Sequence, residues 1–588
     1  MTGYTPPLDD MRFVLHHVAG LGAIGRLPGY EAATPDLVDD ILEAAGRFAA
    51  NELAPINQSG DRQRVRLENG VVRTPDGFKE AYAAFVAGGW NGLPFPERWG
   101  GQGLPWTVAT AVAEMWHGAN MAFGLCPLLT QAGVELLLGF GTEEQKERYL
   151  ARLVSGEWTG SMCLTEPHAG SDVGALKTRA EREGDHYRIR GTKIFITFGE
   201  HDYTDNIVHM VLARLPDAPP GTRGISLFLV PKFLVNDDGS LGARNDLRCV
   251  SLEHKLGIHA SPTCVMSFGD DEGAIGYLVG EEQGGMAAMF TMMNFARVQV
   301  GLEGLAIAER AYQGAFAYAR ERVQGSRRDG GAARPAAIIE HPYVRRTLLA
   351  MQARIEAMRA LVYTAAACLD HATRAPDPDD RRRAAQRLDL MTPLVKAWCS
   401  DQGFEIASEA LQVHGGMGYI EETGAAQHLR DARINMIYEG TNGIQALDLV
   451  GRKLALADGR LPWDWFEEFS GDLAALVGAG HKDVAASLGA ALEALRQATA
   501  WLQGEHADPD DAAAGATPYL RMFATTAGGF LLARSALAAK GARDPRAEER
   551  LACARFYAAQ LLPPASALLA AVTAGSTPLR QGLEAQLS

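Results

Sequence analysis

Apolar residues recur three and four positions apart along most of this chain, and the places where that rhythm changes divide it. Val484, Leu488, Leu492, Leu495 and Leu502 keep the spacing with one gap, which puts them on one face of a helix. Phe404, Ala407 and Leu411 do the same earlier in the chain. Such stripes predict core packing rather than binding surfaces. Residues 36 to 160 read mainly as helix, and Thr142-Glu143-Glu144-Gln145 has the form of a capping box ahead of the amphipathic run Tyr149, Leu150, Leu153. Near Ser161 the pattern shortens. Tyr187–Ile196, Ile207–Leu212 and Gly224–Val230 are β-rich runs separated by Gly, Pro and Asp turns, with no helices between them. Helix returns after Gly285 and is expected to persist to about Leu456, broken by a loop at Pro376–Asp380. A further helical segment starts near Pro462, with a loop at 506–511.

These runs predict an α+β multidomain chain. Its parts are an N-terminal extension (1–35), an N-terminal helical domain (36–160), a central antiparallel β-barrel or sandwich (161–280), a helical bundle (281–456) and an appended C-terminal helical domain (460–588). A length of 588 residues exceeds what one hydrophobic core supports. With 47% hydrophobic and 22% charged residues, the composition is that of an ordinary soluble globular protein. A net charge of -15, with no basic stripe, argues against nucleic acid as the main partner. The seven cysteines form no CxxC pair and their number is odd, which disfavours a disulfide framework and fits a reducing cytoplasm. No HExxH or clustered ligand spacing points to a metal. No basic region followed by an apolar run opens the sequence, so no signal peptide is expected. No uncharged apolar stretch reaches about 20 residues, the length that spans a membrane.

Gly20-Leu21-Gly22-Ala23-Ile24-Gly25 matches the GxGxxG spacing, but Pro28-Gly29 follows at once and would break the helix that a dinucleotide fingerprint requires. Better candidates lie elsewhere. Glu439, between Tyr438 and Gly440, is placed to be a desolvated base, although a Glu before a turn is more often a solvated cap. Cys163–Asp172 is rich in small and hydroxyl residues and sits where helix gives way to strand; it reads equally well as a ligand-binding turn or a self-closed one. Lys193–Thr197 carries Phe195 and Thr197 on a predicted strand, where core packing is the plainer reading. His414 reads as structural, whereas Gly415, Gly416 and Gly418 exceed what a helix cap needs.

Taken in order and spacing over roughly residues 40 to 455, these segments resemble the acyl-CoA dehydrogenase family. They are most similar to its long, 3-methylmercaptopropionyl-CoA dehydrogenase-like branch, through Tyr4–Phe13, Phe198–Asp202, Glu253–His259 and the extra C-terminal domain. The resemblance implies an FAD-dependent oxidoreductase of fatty acid metabolism, in which Glu439 abstracts the proton α to a CoA thioester and the β-hydrogen leaves as hydride to the flavin. It implies flavin contacts at Leu164, Thr165, Gly170, Ser171, Phe195, Thr197, Thr441 and Asn442, with Arg322, Gln412, Gly415 and Gly416 contributed across a subunit boundary of a homodimer. It implies substrate contacts at Ser171, Asn294, Arg297, Glu439 and Gly440, and electron-transfer flavoprotein as acceptor. Phe195 stands where the family commonly has Trp, Phe198 where Asn is common, and Asn294 where many members have Asp. An acyl-CoA oxidase on the same fold, or a non-catalytic flavin or acyl-CoA scaffold, are the competing readings, and the acyl chain is open.

Overall fold

A computed structural model describes residues 3–329, 331–504 and 508–587. The chain falls into two compact units. One comprises 1–46, 105–118 and 297–588; the other comprises 47–104 and 119–296.

The second unit holds the main sheet. A small hairpin, β1 (Arg66–Glu68) and β2 (Val71–Arg73), precedes it. The main sheet uses β3 (Thr159–Cys163), β4 (Arg179–Glu183), β5 (His186–Thr197), β6 (Ile207–Arg214), β7 (Ile225–Pro231), β10 (Leu247–Leu252), β11 (Thr263–Phe268) and β12 (Ala274–Val279). The intervening β8 (Phe233–Val235) and β9 (Leu241–Arg244) pair as a separate hairpin. The strand order is β10-β11-β5-β12-β7-β6-β3, with β4 pairing β5 and β6. Most pairs are antiparallel, as the β-rich runs predict. The exceptions run from β6 to β3 and, at one residue pair, to β4, both parallel. The reason is the connection: β3 returns through two further strands before β6 arrives, so no tight hairpin forces it antiparallel. The long β5 pairs β12 at one end and β11 at the other, and Ile189, Ile196, Phe228, Val230, Met266 and Phe268 pack into one core. The capping box forms: Thr142 Oγ1 accepts from the Gln145 amide at 3.2 Å and Gln145 Oε1 from the Thr142 amide at 3.0 Å.

The first unit is a helical bundle. Its frame is three long helices, Gly285–Glu321, Pro342–Arg374 and Pro378–His414, the first of which begins in the other unit. The predicted loop at 376–380 is shorter than expected, because Asp377 caps the next helix through the Asp379 amide at 2.8 Å. Helix does not run unbroken from Gly285 to Leu456: a hairpin, β13 (Val323–Asp329) and β14 (Ala332–Ala337), intervenes. The first strand is mostly polar and the second alanine-rich around Arg334 and Pro335; both are largely exposed and carry no apolar alternation to announce them. Of the loop expected at 506–511, residues 506 and 507 lie outside the described residues, and Pro509 already opens the helix Pro509–Ala542, capped by Asp508. The stripe Val484, Leu488, Leu492, Leu495 and Leu502 is buried. The N-terminal segment is woven into the same unit: Tyr4, Met11 and Phe13 are buried, and Asp10 Oδ1 lies 2.8 Å from Arg546 Nη1.

Among the described residues, three helical stretches, Met121–Phe140, Pro509–Ala542 and Ala547–Thr573, are long and apolar enough to cross a membrane by length and composition, contrary to the sequence expectation. In the first two, 83% and 78% of the apolar window is buried inside the protein, so core packing already accounts for their composition.

Candidate active site

Glu439 sits in a turn that no ordinary residue adopts cheaply. Its φ is +57° and that of Gly440 is +85°. Glycine enters this region freely; a side chain there is strained, and such strain persists only where the surroundings impose it. The surroundings here are visible. Tyr438 donates a hydrogen bond from its amide to Ile434 O at 3.1 Å. After the turn, Thr441 Oγ1 caps the helix Asn442–Gly451 through the Ile444 amide at 3.3 Å. The Glu439 carbonyl accepts from Arg297 Nε at 3.3 Å and from Gln445 Nε2 at 3.4 Å. A Cβ on Gly440 would stand 2.8 Å from Gln445 Nε2, so that residue is crowded as well as left-handed.

Burial pushes the Glu439 carboxyl up to about 7, with Arg297 and Lys396 pulling the other way. That is the range in which a carboxylate can take a proton at neutral pH and later lose it. Lys396 is itself buried; desolvation lowers it to about 7 against the opposing pull of Glu439. Its Nζ donates to Asn442 Oδ1 at 2.8 Å. The Asn442 side-chain Nδ2, with two hydrogens to give, lies 2.7 Å from Asp401 Oδ1, 3.0 Å from Ser400 Oγ and 3.1 Å from Ala397 O. The side chain of Asn442, expected as a cofactor contact, fastens the Glu439-bearing turn to the helix Pro378–His414. Lys396 was not foreseen. Its one sequence signal is a lysine inside the apolar run Leu394–Trp398.

The β-unit carries its own candidates. Leu164 and Thr165 follow β3 directly, and the Thr165 carbonyl accepts from the Ile194 amide at 2.9 Å, which ties that loop to β5. On β5 two residues, Ile194 and Phe195, stand opposite the single Val265 of β11. This bulge gives Phe195 a φ of +60° and turns its ring outward, where it is 57% exposed. A large aromatic held in a strained, solvent-facing position is not the core residue that strand periodicity favours. Thr197, half-buried, closes the same strand. The loop is pinned from beneath by a pair the sequence reading missed: Glu166 accepts from Lys193 Nζ at 2.8 Å, from Thr178 Oγ1 at 2.6 Å and from the Lys177 amide at 2.7 Å. Burial would raise Glu166, but Lys193 and these donors hold it below its usual range. Ser171 and Gly170 are exposed at the tip of this loop.

Gln412, Gly415 and Gly416 lie at the end of the helix Pro378–His414, exposed, and Arg322 is exposed at the end of the helix Gly285–Glu321. A Cβ on Gly170 or Gly416 would meet nothing of this chain within 4 Å, nor would one on Gly415, whose φ is +60°. Gly418 differs: its Cβ would fall 2.3 Å from Leu411 O. Gly418 is thus required by packing, whereas at Gly416 the chain itself gives no reason for glycine. His414, as expected, is structural, with Nδ1 2.7 Å from Ala410 O and its ring tilted against Tyr318. Asn294 is half-buried. The GxGxxG segment lies after the helix Leu8–His17 rather than after a strand.

In the β-bearing unit, an outward aromatic and a hydroxyl at the end of one strand and an exposed loop with room at its glycine fit a flavin ring system; in the helical unit, taken by itself, an exposed arginine and glycines that no packing explains fit the phosphates of a nucleotide. Phe195, Thr197, Gly170, Arg322, Gly415 and Gly416 are thus compatible with a flavin nucleotide, whereas the side chains of Thr441 and Asn442 are engaged within the protein.

Comparison with known proteins agrees. Family models match as follows: acyl-CoA dehydrogenase N-terminal domain over 36–157, middle domain over 161–270, C-terminal domain over 283–454, and an acetyl-CoA dehydrogenase C-terminal-like domain over 465–581. The chain is 45% identical over 577 residues to 3-methylmercaptopropionyl-CoA dehydrogenase of Ruegeria pomeroyi, covering 96% of this chain and 97% of the relative. It is 34% identical to the broad-specificity linear acyl-CoA dehydrogenase FadE5 of Mycobacterium tuberculosis, over 96% of each. Its fold is similar to that of an acyl-CoA dehydrogenase complexed with FAD from Bacillus anthracis, with a TM-score of 0.73 at 21% identity over 94% of this chain and 90% of that one. These relatives are named dehydrogenases, which leaves the oxidase reading unfavoured. The chain belongs to the acyl-CoA dehydrogenase family, FAD-dependent oxidoreductases that act on the CH–CH bond of acyl-CoA.

Proposed function

We propose that the chain desaturates a short or medium acyl-CoA, 3-methylmercaptopropionyl-CoA or a close analogue. The observation that carries the reaction chemistry is Glu439, a carboxyl brought to about 7 in a strained turn gripped by Arg297. The choice of acyl group rests on the 45% identity to a relative of that name over nearly the whole chain.

In this reading Glu439, once ionised, removes the proton from the carbon α to the thioester. That proton is too weakly acidic for an ordinary carboxylate, so the base must be desolvated and the developing negative charge on the thioester oxygen must meet donors. Arg297 and Gln445 hold the Glu439 carbonyl, which fixes the direction of the peptide and so of the side chain. FAD, when bound, supplies the two-electron acceptor for the β-carbon. Thr165, Thr197 and Phe195 would hold its ring system; Arg322, Gln412, Gly415 and Gly416 would serve the nucleotide portion from a partner subunit, making the active form a homodimer. The exposed apolar Met417, Tyr419 and Ile420 next to those glycines support such an interface. Electron-transfer flavoprotein is the proposed acceptor and the cytoplasm the proposed location, consistent with seven unpaired cysteines.

Anaerobic bleaching of the flavin across an acyl-CoA panel tests the substrate. Fastest bleaching is expected with 3-methylmercaptopropionyl-CoA or butyryl-CoA; a preference for long or aryl-branched chains would overturn the assignment. Sustained peroxide release in air, without a carrier, would restore the oxidase reading.

A further inference from the structure

The bundle holds a second carboxyl next to the base. Glu303 lies on the helix Gly285–Glu321, six residues beyond Arg297, and is fully buried. Its Oε2 is hydrogen-bonded to the Tyr438 hydroxyl. Its Oε1 is buried and meets no donor among the described residues. The Tyr438 hydroxyl also stands 3.2 Å from Asn435 Oδ1.

A phenol carries one hydrogen. With Glu303 ionised, that hydrogen cannot serve both Glu303 and Asn435, two acceptors. With Glu303 protonated, its own O–H donates to Tyr438 and the phenol donates to Asn435, so each contact has its hydrogen. Turning the Asn435 amide over would offer Tyr438 a donor instead, but an ionised Glu303 would still keep one bare oxygen out of reach of any donor. Burying such a charge is strongly unfavourable. The charges around it divide. Glu439 and Tyr438 face it from the base-bearing segment, and Lys396 faces it from the helix Pro378–His414. Arg297 and Asp401 act on Lys396, and Asp431 on Tyr438. Burial leads, and the neighbouring Glu439 adds to it, raising Glu303 to about 8 against the opposing pulls of Tyr438 and Lys396.

We propose that Glu303 is a positioning residue acting as a neutral carboxylic acid: through Tyr438 it clamps the strained turn of Glu439, and by staying uncharged it adds no second negative charge beside the base. The turn then has a hold on each side. Thr441 and Asn442 fix the chain just after Glu439, and Glu303 fixes the residue just before it. The inference rests on Glu439 being the base.

The test uses the FAD-loaded enzyme with butyryl-CoA and 3-methylmercaptopropionyl-CoA. Glu303→Leu and Tyr438→Phe should each lower kcat about tenfold or more, as small displacements of a reacting group do, with KM changed less than about twofold, because the substrate itself is not touched. Glu303→Gln keeps a neutral donor of the same shape and should recover most of the lost kcat. Infrared difference spectra at pH 7 should show a protonated-carboxyl band that Glu303→Gln removes. Glu303→Gln as slow as Glu303→Leu, or no such band at pH 7, overturns the proposal, and so does a Glu303→Leu enzyme as fast as the wild type. Reduction of Glu439→Gln at the wild-type rate would overturn the base assignment and the clamp with it; the carboxyl band keeps that failure distinct from one at Glu303.

Discussion

Lys193 Nζ and Glu166 Oε1 form a 2.8 Å ion pair in which neither side chain is exposed, directly beneath the loop that carries Leu164 and Thr165. Lys193 also donates to the Leu164 carbonyl at 2.9 Å, so the pair sets the height of that loop as well as its own charge balance. Removing one partner strands the other charge in the interior. Glu166→Gln or Lys193→Met should each cost about 3–5 kcal/mol, whereas the double substitution to apolar residues should cost less than either. Chemical denaturation of the three variants checks this; equal and additive losses would argue against a coupled pair.

With Glu439 as the proposed base, activity and stability should depend on pH in opposite directions. Glu439 rises from an ordinary value of 4.5 to about 7 in the folded protein. Only the ionised form abstracts a proton, so kcat/KM should climb as pH rises through about 7. For stability the direction is opposite. Between 4.5 and about 7 the folded protein holds a proton that the unfolded chain has released, so this group's contribution to stability falls as pH rises through that window. Glu439→Gln should therefore lose roughly 10²–10⁴ of the rate of flavin bleaching, keep its flavin, and unfold at a higher temperature than wild type at pH 8. A flat acid limb in the wild-type profile would count against the assignment.

Phe195 carries strain that glycine would relieve. At φ +60° an exposed Phe costs on the order of 1–3 kcal/mol. Phe195→Gly should stabilise the flavin-free protein by about 1 kcal/mol and weaken retention of flavin through gel filtration. Unchanged retention would mean that the ring does not cover the cofactor.

The glycines after His414 should separate by function. Gly418→Ala drives a Cβ to 2.3 Å from the Leu411 carbonyl and should destabilise the bundle by about 1–3 kcal/mol. Gly416→Ala meets nothing within the chain, so the melting temperature of the flavin-free protein should stay within about 2 °C, while the flavin-binding titration weakens at least several-fold. If both variants lose only stability, the cradle reading of Gly416 fails.

Much of this protein was legible before its structure. Helical spacing marked Val484 through Leu502 as core, and all five are buried. The Thr142–Gln145 capping box formed as its local chemistry requires. The motif order around Glu439 pointed to the family. The hairpin β13–β14 was not legible, because one strand is polar, the other is alanine-rich, and both are largely exposed with no alternation of apolar and polar positions. Nor was the partnership of Glu166 with Lys193, since 27 residues separate them and neither is unusual alone.

By itself, then, the sequence determined what depends on neighbours along the chain: helix faces, caps, turns, and which side chains could do chemistry. Tertiary structure alone decided what state those side chains are in. Glu439 is a carboxyl near 7 because burial and the opposing cations Arg297 and Lys396 are set by helices distant in sequence. Phe195 faces outward because a bulge against β11 reverses the alternation that its own strand predicts. Asn442, which directly follows the Glu439 turn, has its side chain bound to Lys396 and Asp401 on another helix, a partnership no local pattern announces. Desolvation and hydrogen-bond partnership are properties of a surrounding, and this one is assembled from segments more than a hundred residues apart.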